Sequence, residues 1–364
     1  MAEERPRRTP VGVRGRFTAA LVAAVVVAAG LAVAPAPMEL SARASGDAEL
    51  AERARPLLQA GPRRTAAVVE VDGDRVREAY FGADGTTLYE VGSVTKALTG
   101  LLLAEAIARG EVEADTRLGT LLDLGEAPAA RVTLAELASH RSGLPRNPPG
   151  VSTALTMFLD SLRNRDPYTG DLDSLVAGAA RADLTDRGAF AYSNLGPALL
   201  GQSLAEAAGT DYETLLRERV LEPLAMDRTV VPAHPEDVPS TAAVGHGRNG
   251  RPYAPSADAT WAPIGGVHST GGDMGLLARA LVAGQAPGVL ALDPRWDDGE
   301  GDGVGLGWFV TDHDGTDVTW HNGMTGGFAA MVALDREGGR AVVVLADSPV
   351  GVEDAALELL LETP

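Results

Sequence analysis

The stretch GSVTKALTG, residues 92–100, contains the only lysine of the chain, Lys96, although the sequence has 31 lysine and arginine residues in total. Ser93 lies three residues before this lysine. From Ser93 to about Arg109, leucine and alanine recur at helical spacing and Gly110 ends the run, so the pattern predicts a helix that begins at or near Ser93. Positions i and i+3 share one face of a helix, and we therefore expect the Lys96 amine to reach the Ser93 hydroxyl.

The chemistry of lysine gives a reason for this exception. A serine hydroxyl becomes a useful nucleophile when a base removes its proton, and a lysine can be that base if burial or nearby positive charge lowers its pKa. An arginine cannot take that role. A helix start adds free N–H groups, which can stabilise an oxyanion at an attacked carbonyl. The same spacing also occurs at ordinary helix starts with a solvated lysine, so the motif alone leaves both interpretations open.

Two further motifs follow in the chain, Tyr192-Ser193-Asn194 with the form Y-x-N and His321-Asn322-Gly323 with the form H-x-G. Together with S-x-x-K, this order resembles the serine β-lactamase and penicillin-binding protein family, especially its branch of class C β-lactamases, DD-peptidases, D-aminopeptidases and related esterases. The resemblance extends over about residues 65–357. Flanking stretches are also similar to that branch: SHRSGLP (139–145), EPLAMDRT (222–229), PIGGVHST (263–270), GLGW (305–308) and HNGMTGGF (321–328).

The resemblance implies a catalytic role for three residues. Ser93 would be the acylated nucleophile, and Lys96 would accept its proton. Tyr192 would pass a proton to the leaving group and help to activate the deacylating water. Taken alone, this tyrosine has an ordinary explanation as a packed core residue, and only its order with the other motifs favours catalysis.

The remaining motif residues are implied to bind substrate. Asn194 would hold the substrate carbonyl and the lysine. The backbone N–H groups of Ser93 and Met324 would form an oxyanion hole, with Gly323 letting its strand pass close to the substrate. His321 departs from many β-lactamases, which have a lysine at this position. Because histidine is mostly neutral above pH ~6.5, we expect a weaker and pH-dependent attraction for carboxylates, which favours a peptidase or esterase.

Strand-like and helical patterns predict an α+β fold. Residues 47–60 have helical periodicity, residues 64–82 form two strand-like runs around Asp72-Gly73-Asp74, and residues 304–362 read as two hairpins and a closing helix. An antiparallel sheet built from both ends of the chain is expected, flanked by helices, with a helical lobe inserted at about residues 118–285. The resemblance implies the β-lactamase/transpeptidase-like version of this architecture.

The N-terminus predicts export. Five arginines precede the apolar run FTAALVAAVVVAAGLAVA at residues 17–34, and a small-residue site follows at Ala42-Arg43-Ala44. This is typical of a signal peptide, but the run is long enough for an uncleaved membrane anchor, and both interpretations stay open. We therefore divide the chain into residues 1–44, a signal or single-span anchor with linker, and residues 45–364, the hydrolase domain. The protein is expected outside the cytoplasm, secreted or membrane-anchored.

Composition removes several classes of function. The chain has no cysteine, which excludes disulfides, thiolate nucleophiles and cysteine-ligated metals. Its formal net charge of −19 argues against nucleic acid as a partner. The six histidines have no metal-ligand spacing, and we predict neither a metal nor another cofactor. The expected partner is a small-molecule or peptide substrate, and the expected state is a monomer.

These observations lead to one functional hypothesis with two alternatives. We expect an exported serine hydrolase that cleaves an amide or ester bond through an acyl-enzyme on Ser93, similar to DD-peptidases, D-aminopeptidases or esterases. The first alternative is a class C-type β-lactamase. The second belongs to another class, an inactive module that binds penicillin or peptidoglycan peptides.

Overall fold

The described part of the chain begins shortly after the N-terminal apolar run. The computed structural model describes residues 37–362. The apolar run at residues 17–34, the centre of the predicted signal or anchor, lies outside the described residues. Leu40 is buried, and the first strand, β1, spans Ala44–Gly46 and lies at one edge of the main sheet. The body therefore includes residues on both sides of the predicted boundary at residue 45.

The strands of residues 37–362 form two antiparallel sheets. After β1 they are β2 (Ala66–Asp72), β3 (Arg75–Phe81), β4 (Tyr89–Glu90), β5 (His268–Ser269), β6 (Trp296–Asp297), β7 (Gly303–Val304), β8 (Phe309–His313), β9 (Thr316–Met324), β10 (Ala329–Asp335) and β11 (Arg340–Ala346). The main sheet has nine strands in the order β1-β3-β2-β11-β10-β9-β8-β7-β6, and β4 pairs with β5. Because β2 pairs with β11, the predicted antiparallel sheet from both ends of the chain is confirmed.

Helices cover this sheet and fill the middle of the chain. They are α1 (Ala48–Gln59), α2 (Val94–Ala108), α3 (Leu134–Ala138), α4 (Val151–Leu162), α5 (Leu172–Ala180), α6 (Leu195–Ala208), α7 (Tyr212–Leu216), α8 (Ala262–Gly265), α9 (Gly271–Val282) and α10 (Glu353–Leu361). Short 3-10 helices lie at Leu118–Thr120, Pro128–Arg131, Glu222–Leu224, Pro235–Asp237 and Val289–Leu292, and a π-helical turn at Arg217–Leu221. Helices α3 to α9 fall within the predicted helical lobe. Between residues 37 and 362, no helix has the length and apolarity needed to cross a bilayer.

Alternating side chains give the main sheet two apolar faces. On β2, Ala66 and Val68 pack with α1 and α10, whereas Ala67, Val69 and Val71 face α9 and the helical lobe. Successive residues of a strand point to opposite faces, so a nearly continuous apolar strand indicates a sheet covered on both sides. The sheet is thus the middle layer of the body.

Helix α2 lies at the centre of the molecule and positions the site. It packs against α6 and α8 and approaches the edge of β9. Nearly all its side chains from Val94 to Ala106 are buried. Ser93 is its N-cap residue, which confirms the helix start predicted from the sequence. The first turn of α2 is therefore held between the sheet and the helical lobe.

Candidate active site

The Ser93 hydroxyl is free of the local bonds that usually hold an N-cap side chain. Its backbone is already helical, with φ −62° and ψ −10°, and its side chain makes no capping hydrogen bond. Instead, Ser93 Oγ lies 2.8 Å from Lys96 Nζ, and it accepts a hydrogen bond of 3.1 Å from the Tyr192 hydroxyl. Two of the three predicted catalytic side chains thus converge on the third.

The Lys96 amine is enclosed by the protein. The residue is 3% exposed, and its Nζ donates a hydrogen bond of 2.8 Å to the Ile264 carbonyl of helix α8. Burial, and then the positive charge of Arg146, lower the pKa of Lys96 well below its usual range. This shift favours the neutral amine, which has a lone pair for the Ser93 proton. The arrangement has the geometry and the protonation state that a general base requires.

The pKa of Tyr192 shifts in the opposite direction to that of Lys96. Burial raises the pKa of its hydroxyl, while the hydrogen bond to Ser93 and the Arg146 guanidinium act in the other direction. The Arg146 Cζ atom lies 5.3 Å from the centre of the Tyr192 ring. A neutral phenol donates a proton, so the structure gives the tyrosine and the lysine complementary protonation states.

His140 contacts Tyr192 and both of its neighbours in the chain. Its ring stacks on the Tyr192 ring at 4.3 Å between centroids. Its Nδ1 accepts the Ser193 N–H at 3.2 Å, and its carbonyl accepts the Ala191 N–H at 2.8 Å. Its backbone has a left-handed φ of +57°, which is uncommon for a residue with a side chain. From the sequence this histidine reads only as part of the SHRSGLP loop, and its contact with the tyrosine follows from the fold.

The backbone around Gly92 and Gly323 brings two N–H groups together. A Cβ on Gly323 would lie 1.9 Å from the Val91 carbonyl oxygen and 2.9 Å from the Ser93 nitrogen, so only glycine allows this approach. Gly92 has φ +52°, and a Cβ there would lie 2.8 Å from the Met324 nitrogen.

The register of β9 aims the Met324 N–H at the same place. Thr325 donates to the Phe328 carbonyl in the turn that joins β9 to β10. Because hydrogen-bonded and non-hydrogen-bonded pairs alternate along antiparallel strands, the neighbouring Met324 points its N–H away from β10. Since Gly92 and Ser93 approach β9 closely at Gly323 and Met324, the N–H groups of Ser93 and Met324 lie near each other. Two such donors suit an oxyanion.

In the described residues Asn194 lacks the hydrogen bond to Lys96 that was expected of it, while its contact with a substrate carbonyl stays a prediction. It is the N-cap residue of α6 and is buried, but its Nδ2 donates to the Tyr168 hydroxyl at 2.6 Å. The Tyr168 hydroxyl donates in turn to Asn147 Oδ1 at 3.0 Å. Within the described residues, Asn194 makes no hydrogen bond to Lys96, whose second partner is the Ile264 carbonyl. Tyr168 belongs to no recognisable motif, so sequence reasoning had no signal for it.

His321 requires a correction of the expected pH dependence. The residue is 1% exposed on β9, and its Nδ1 is bonded to the Asn322 carbonyl. Burial, and then the nearby charge of Lys96, lower the pKa of His321 to about 3. The imidazole is therefore neutral across the physiological range. The expectation of a carboxylate attraction that changes near pH ~6.5 is wrong, because it used the pKa of an exposed histidine.

A cleft opens beside these residues, with an empty volume of about 790 Å³ including its mouth. Met324 and Ile264 line the end nearest to Ser93, and Tyr168 and Trp261 give it aromatic walls. Its outer wall carries the carboxyl groups of two aspartates. Among the described residues, no group of three or more His, Asp or Glu side chains is placed to hold a metal ion.

The two aspartates of the outer wall are Asp166 and Asp258. Burial raises the pKa of Asp166 to about 6, and its carboxyl group accepts hydrogen bonds from the Tyr168 N–H and the Ser256 hydroxyl. The Asp258 carboxylate accepts a hydrogen bond of 3.0 Å from the Gly170 N–H. Neither aspartate lies in a motif, so the acidic wall is visible only in the folded chain.

Comparisons with known proteins agree with this architecture. A family model described as Beta-lactamase matches residues 50–362. The chain is 27% identical over 315 residues to the D-alanyl-D-alanine-carboxypeptidase/endopeptidase AmpH of Escherichia coli (strain K12), covering 75% of this chain and 76% of that protein. It is 28% identical over 322 residues to a Beta-lactamase of the same strain, covering 75% and 80%.

The fold is also shared with solved structures. A class C beta-lactamase superposes with a TM-score of 0.75, over 87% of this chain and 97% of that chain, at 17% sequence identity. The predicted β-lactamase/transpeptidase-like α+β fold is therefore confirmed.

Proposed function

The chain belongs to the β-lactamase family, and from this premise we propose that it is a serine hydrolase that cleaves an amide or ester bond through an acyl-enzyme on Ser93. One observation carries the proposal: Ser93 Oγ lies between the Lys96 amine at 2.8 Å and the Tyr192 hydroxyl at 3.1 Å. A base, a nucleophile and an acid within hydrogen-bond distance are the minimum that such chemistry needs.

Acylation begins with proton transfer from Ser93 to the neutral Lys96 amine. The Ser93 oxygen attacks the carbonyl carbon, and the negative charge on the carbonyl oxygen is stabilised by the N–H groups of Ser93 and Met324. Tyr192 then donates its proton to the leaving nitrogen or oxygen as the C–N or C–O bond breaks. The proton held by Lys96 returns to the tyrosine, so both groups are neutral again.

Deacylation uses the same groups in reverse. A water molecule, which the Tyr192 hydroxyl helps to activate, attacks the acyl carbon while the Lys96 amine accepts its proton. The intermediate collapses, the bond to Ser93 Oγ breaks, and the serine recovers a proton from the lysine. The product is a carboxylic acid.

We propose peptide or ester substrates without a free carboxylate next to the scissile bond. Strand β9 carries the neutral His321 where many β-lactamases have a lysine, and the cleft wall carries Asp166 and Asp258. Both features disfavour a carboxylate. The D-alanyl-D-alanine-carboxypeptidase/endopeptidase relative supports peptide chemistry in the same family, and it is the endopeptidase part of that name that corresponds to a bond without a free carboxylate beside it. A class C-type β-lactamase ranks below a peptidase or esterase on these grounds.

The second candidate function, an inactive module that binds penicillin or peptidoglycan peptides, has less support. Such a module needs the cleft but not the buried amine. Within residues 37–362 this lysine, at 3% exposure, has no carboxylate partner. Keeping it buried in this way is unfavourable for stability, and this cost is understandable where the neutral amine is used.

The test is the mass of the intact protein after reaction with a fluorophosphonate and, separately, with a penicillin. We expect an adduct that maps to Ser93 with at least one reagent, together with turnover of a chromogenic ester. Ser93→Ala is the matched control and should give neither. A long-lived penicillin adduct without ester turnover would favour the binding module. A folded protein that is labelled by neither reagent would overturn the proposal.

We further propose that the hydrolase works outside the cytoplasm. The proposal is based on the arginines and apolar run before residue 37. Fractionation of the host, with N-terminal sequencing of the recovered protein, tests it. A cytoplasmic protein that begins at Met1 would contradict export.

A further inference from the structure

Helix α4 turns its apolar side away from the protein. Four large side chains form what we call the outer stripe, at spacings of four, three and four residues: Val151, Leu155, Phe158 and Leu162. They are 88%, 55%, 59% and 66% exposed, respectively. At 100° per residue these positions fall on one side of the helix. The outer stripe is thus a continuous apolar surface in contact with solvent.

The inner side of α4 is the more polar one. Thr153, Met157 and Asp160 are the half-buried residues of the helix, and they lie opposite to the outer stripe. A surface helix normally shows the reverse order, with its apolar side on the core. Among the described side chains of α4, none is fully buried, and the helix makes few contacts with the other elements. The outer stripe is therefore not explained by packing within residues 37–362.

Positive charge borders the outer stripe. The basic rim, as we call it, consists of four exposed arginines: Arg163, Arg165, Arg248 and Arg251. Asn164 joins its two halves, because its side chain exchanges hydrogen bonds of 3.2 and 3.1 Å with Asn249. In the described part of the chain, no arginine of the rim forms an ion pair. For a chain with net charge −19, this is an unusual concentration of unpaired positive charge.

A series of hydrogen bonds links the first described residue to one half of the rim. The Pro37 carbonyl accepts a hydrogen bond from the Arg64 side chain at 3.5 Å, and the Arg64 N–H donates to the Asp347 carboxylate at 2.8 Å. The Asp347 carbonyl accepts the His246 N–H at 3.0 Å, two residues before Arg248. Hydrogen bonds thus connect Pro37, the first described residue, through Arg64 and Asp347 to the loop that carries Arg248.

We propose that the outer stripe and the basic rim form a docking surface for a lipid bilayer with anionic headgroups. An amphipathic helix binds such a surface by placing its apolar side chains at the level of the acyl chains, while arginines contact the headgroups. The charge of the rim favours a bilayer over other occupants, because four exposed arginines without ion pairs in the described residues, next to an apolar stripe, complement anionic headgroups above acyl chains. Ser161 of α4 also lines the catalytic cleft, so docking brings the cleft mouth to the membrane surface.

The absence of cysteine in the sequence allows a direct test in the full chain. Leu155→Cys places one label with an environment-sensitive fluorophore on the outer stripe. Leu290→Cys is the matched control, because Leu290 is similarly exposed, at 62%, on a different element, the 3-10 helix Val289–Leu292. Both proteins keep the same N-terminal segment, so insertion of that segment affects both equally. Vesicles of phosphatidylcholine alone are compared with vesicles that contain about 30 mol% phosphatidylglycerol, an anionic lipid.

We expect the label at position 155 to shift to shorter wavelength and to brighten severalfold on anionic vesicles, and clearly less on neutral ones. The label at position 290 should not respond. Replacing all four rim arginines by glutamine in the Leu155→Cys protein should remove the preference for anionic vesicles while ester turnover stays unchanged.

Several results would overturn the proposal. The first is a silent label at position 155 in a protein that keeps ester turnover. A blue-shifted label without vesicles would mean that the stripe is already covered, by a second copy if the shift depends on protein concentration and by the N-terminal segment if it does not. An equal response to neutral and anionic vesicles would remove the basic rim from the docking surface.

Discussion

The Lys96 amine and the Ser93 hydroxyl are 2.8 Å apart at the buried start of the central helix. The Ile264 carbonyl holds the amine from the other side at 2.8 Å. No carboxylate pairs with this lysine within the described residues, so burial acts on its pKa without compensation. This relationship makes the amine a base, and the predictions on catalysis follow from it.

Lys96→Arg should abolish acylation. Arginine stays charged and does not release its proton, so it cannot accept one from Ser93. Loss of a general base typically costs about 10² to 10⁴ in rate. The measurement is the rate of fluorophosphonate labelling, followed by intact mass. Because a buried guanidinium can also disturb folding, Lys96→Met serves as a second variant of similar length without charge. Labelling of either variant at a near-normal rate would contradict the role of Lys96.

Tyr192→Phe should slow turnover by about 10² to 10⁴, because the leaving group loses its proton donor. The ring remains, and its stacking on His140 is kept, so the melting temperature should change little. Steady-state kinetics with a chromogenic ester and thermal unfolding measure the two effects. If kcat is unchanged in the folded variant, Tyr192 is only a structural residue.

His140→Ala should reduce kcat more than it changes KM. The variant removes the ring that stacks on Tyr192 and leaves the Ser193 N–H without its acceptor, which also costs about 1 to 3 kcal/mol of stability. His140→Asn is the matched control, since asparagine tolerates the left-handed backbone and offers an acceptor. We expect it to recover stability and part of kcat. Equal losses in both variants, or a change in KM alone, would remove the positioning role of His140.

Gly323→Ala should cost both activity and stability. Its Cβ would lie 1.9 Å from the Val91 carbonyl oxygen. The position of a Cβ is fixed by its own backbone, and the carbonyl oxygen belongs to the backbone of Val91, so neither atom can rotate away. We expect turnover to fall by about 10² or more, as for loss of an oxyanion donor. Gly272→Ala is the control, because a Cβ there meets its nearest atom at an ordinary 3.5 Å. Active Gly323→Ala protein would show that the close approach is not needed.

In the pH profile, the acid limb that reports the general base should belong to Lys96. The active form carries the neutral amine, so kcat/KM falls as pH drops through the lowered pKa of Lys96. His321, with its pKa lowered to about 3, stays neutral between pH ~5 and ~8 and adds no step there. The profile of His321→Asn should therefore match that of the unmodified protein in this range. A step near pH ~6.5 that disappears in His321→Asn would contradict the burial argument.

Much of this protein is written locally in its sequence. The i, i+3 spacing of Ser93 and Lys96 fixes their distance once the helix forms, because helix geometry is the same everywhere. Strand-like apolar runs predict the strands of both ends, and the turns between neighbouring strands predict the hairpins β2–β3 and β10–β11. The pairing of β2 with β11 joins segments far apart in the chain, so no turn sets it. The three ordered motifs, read with their flanks, predict the family.

The folded chain decides the chemistry of those residues. The sequence places Tyr192 in the Y-x-N motif, but only the fold brings its hydroxyl to Ser93, 99 residues away, and the Ile264 carbonyl to Lys96, 168 residues away. The neutral state of His321 and the outward side of helix α4 were equally invisible in the sequence. The physical reason is that spacing sets the geometry within one element, whereas pKa and exposure depend on what distant segments bring close to each side chain.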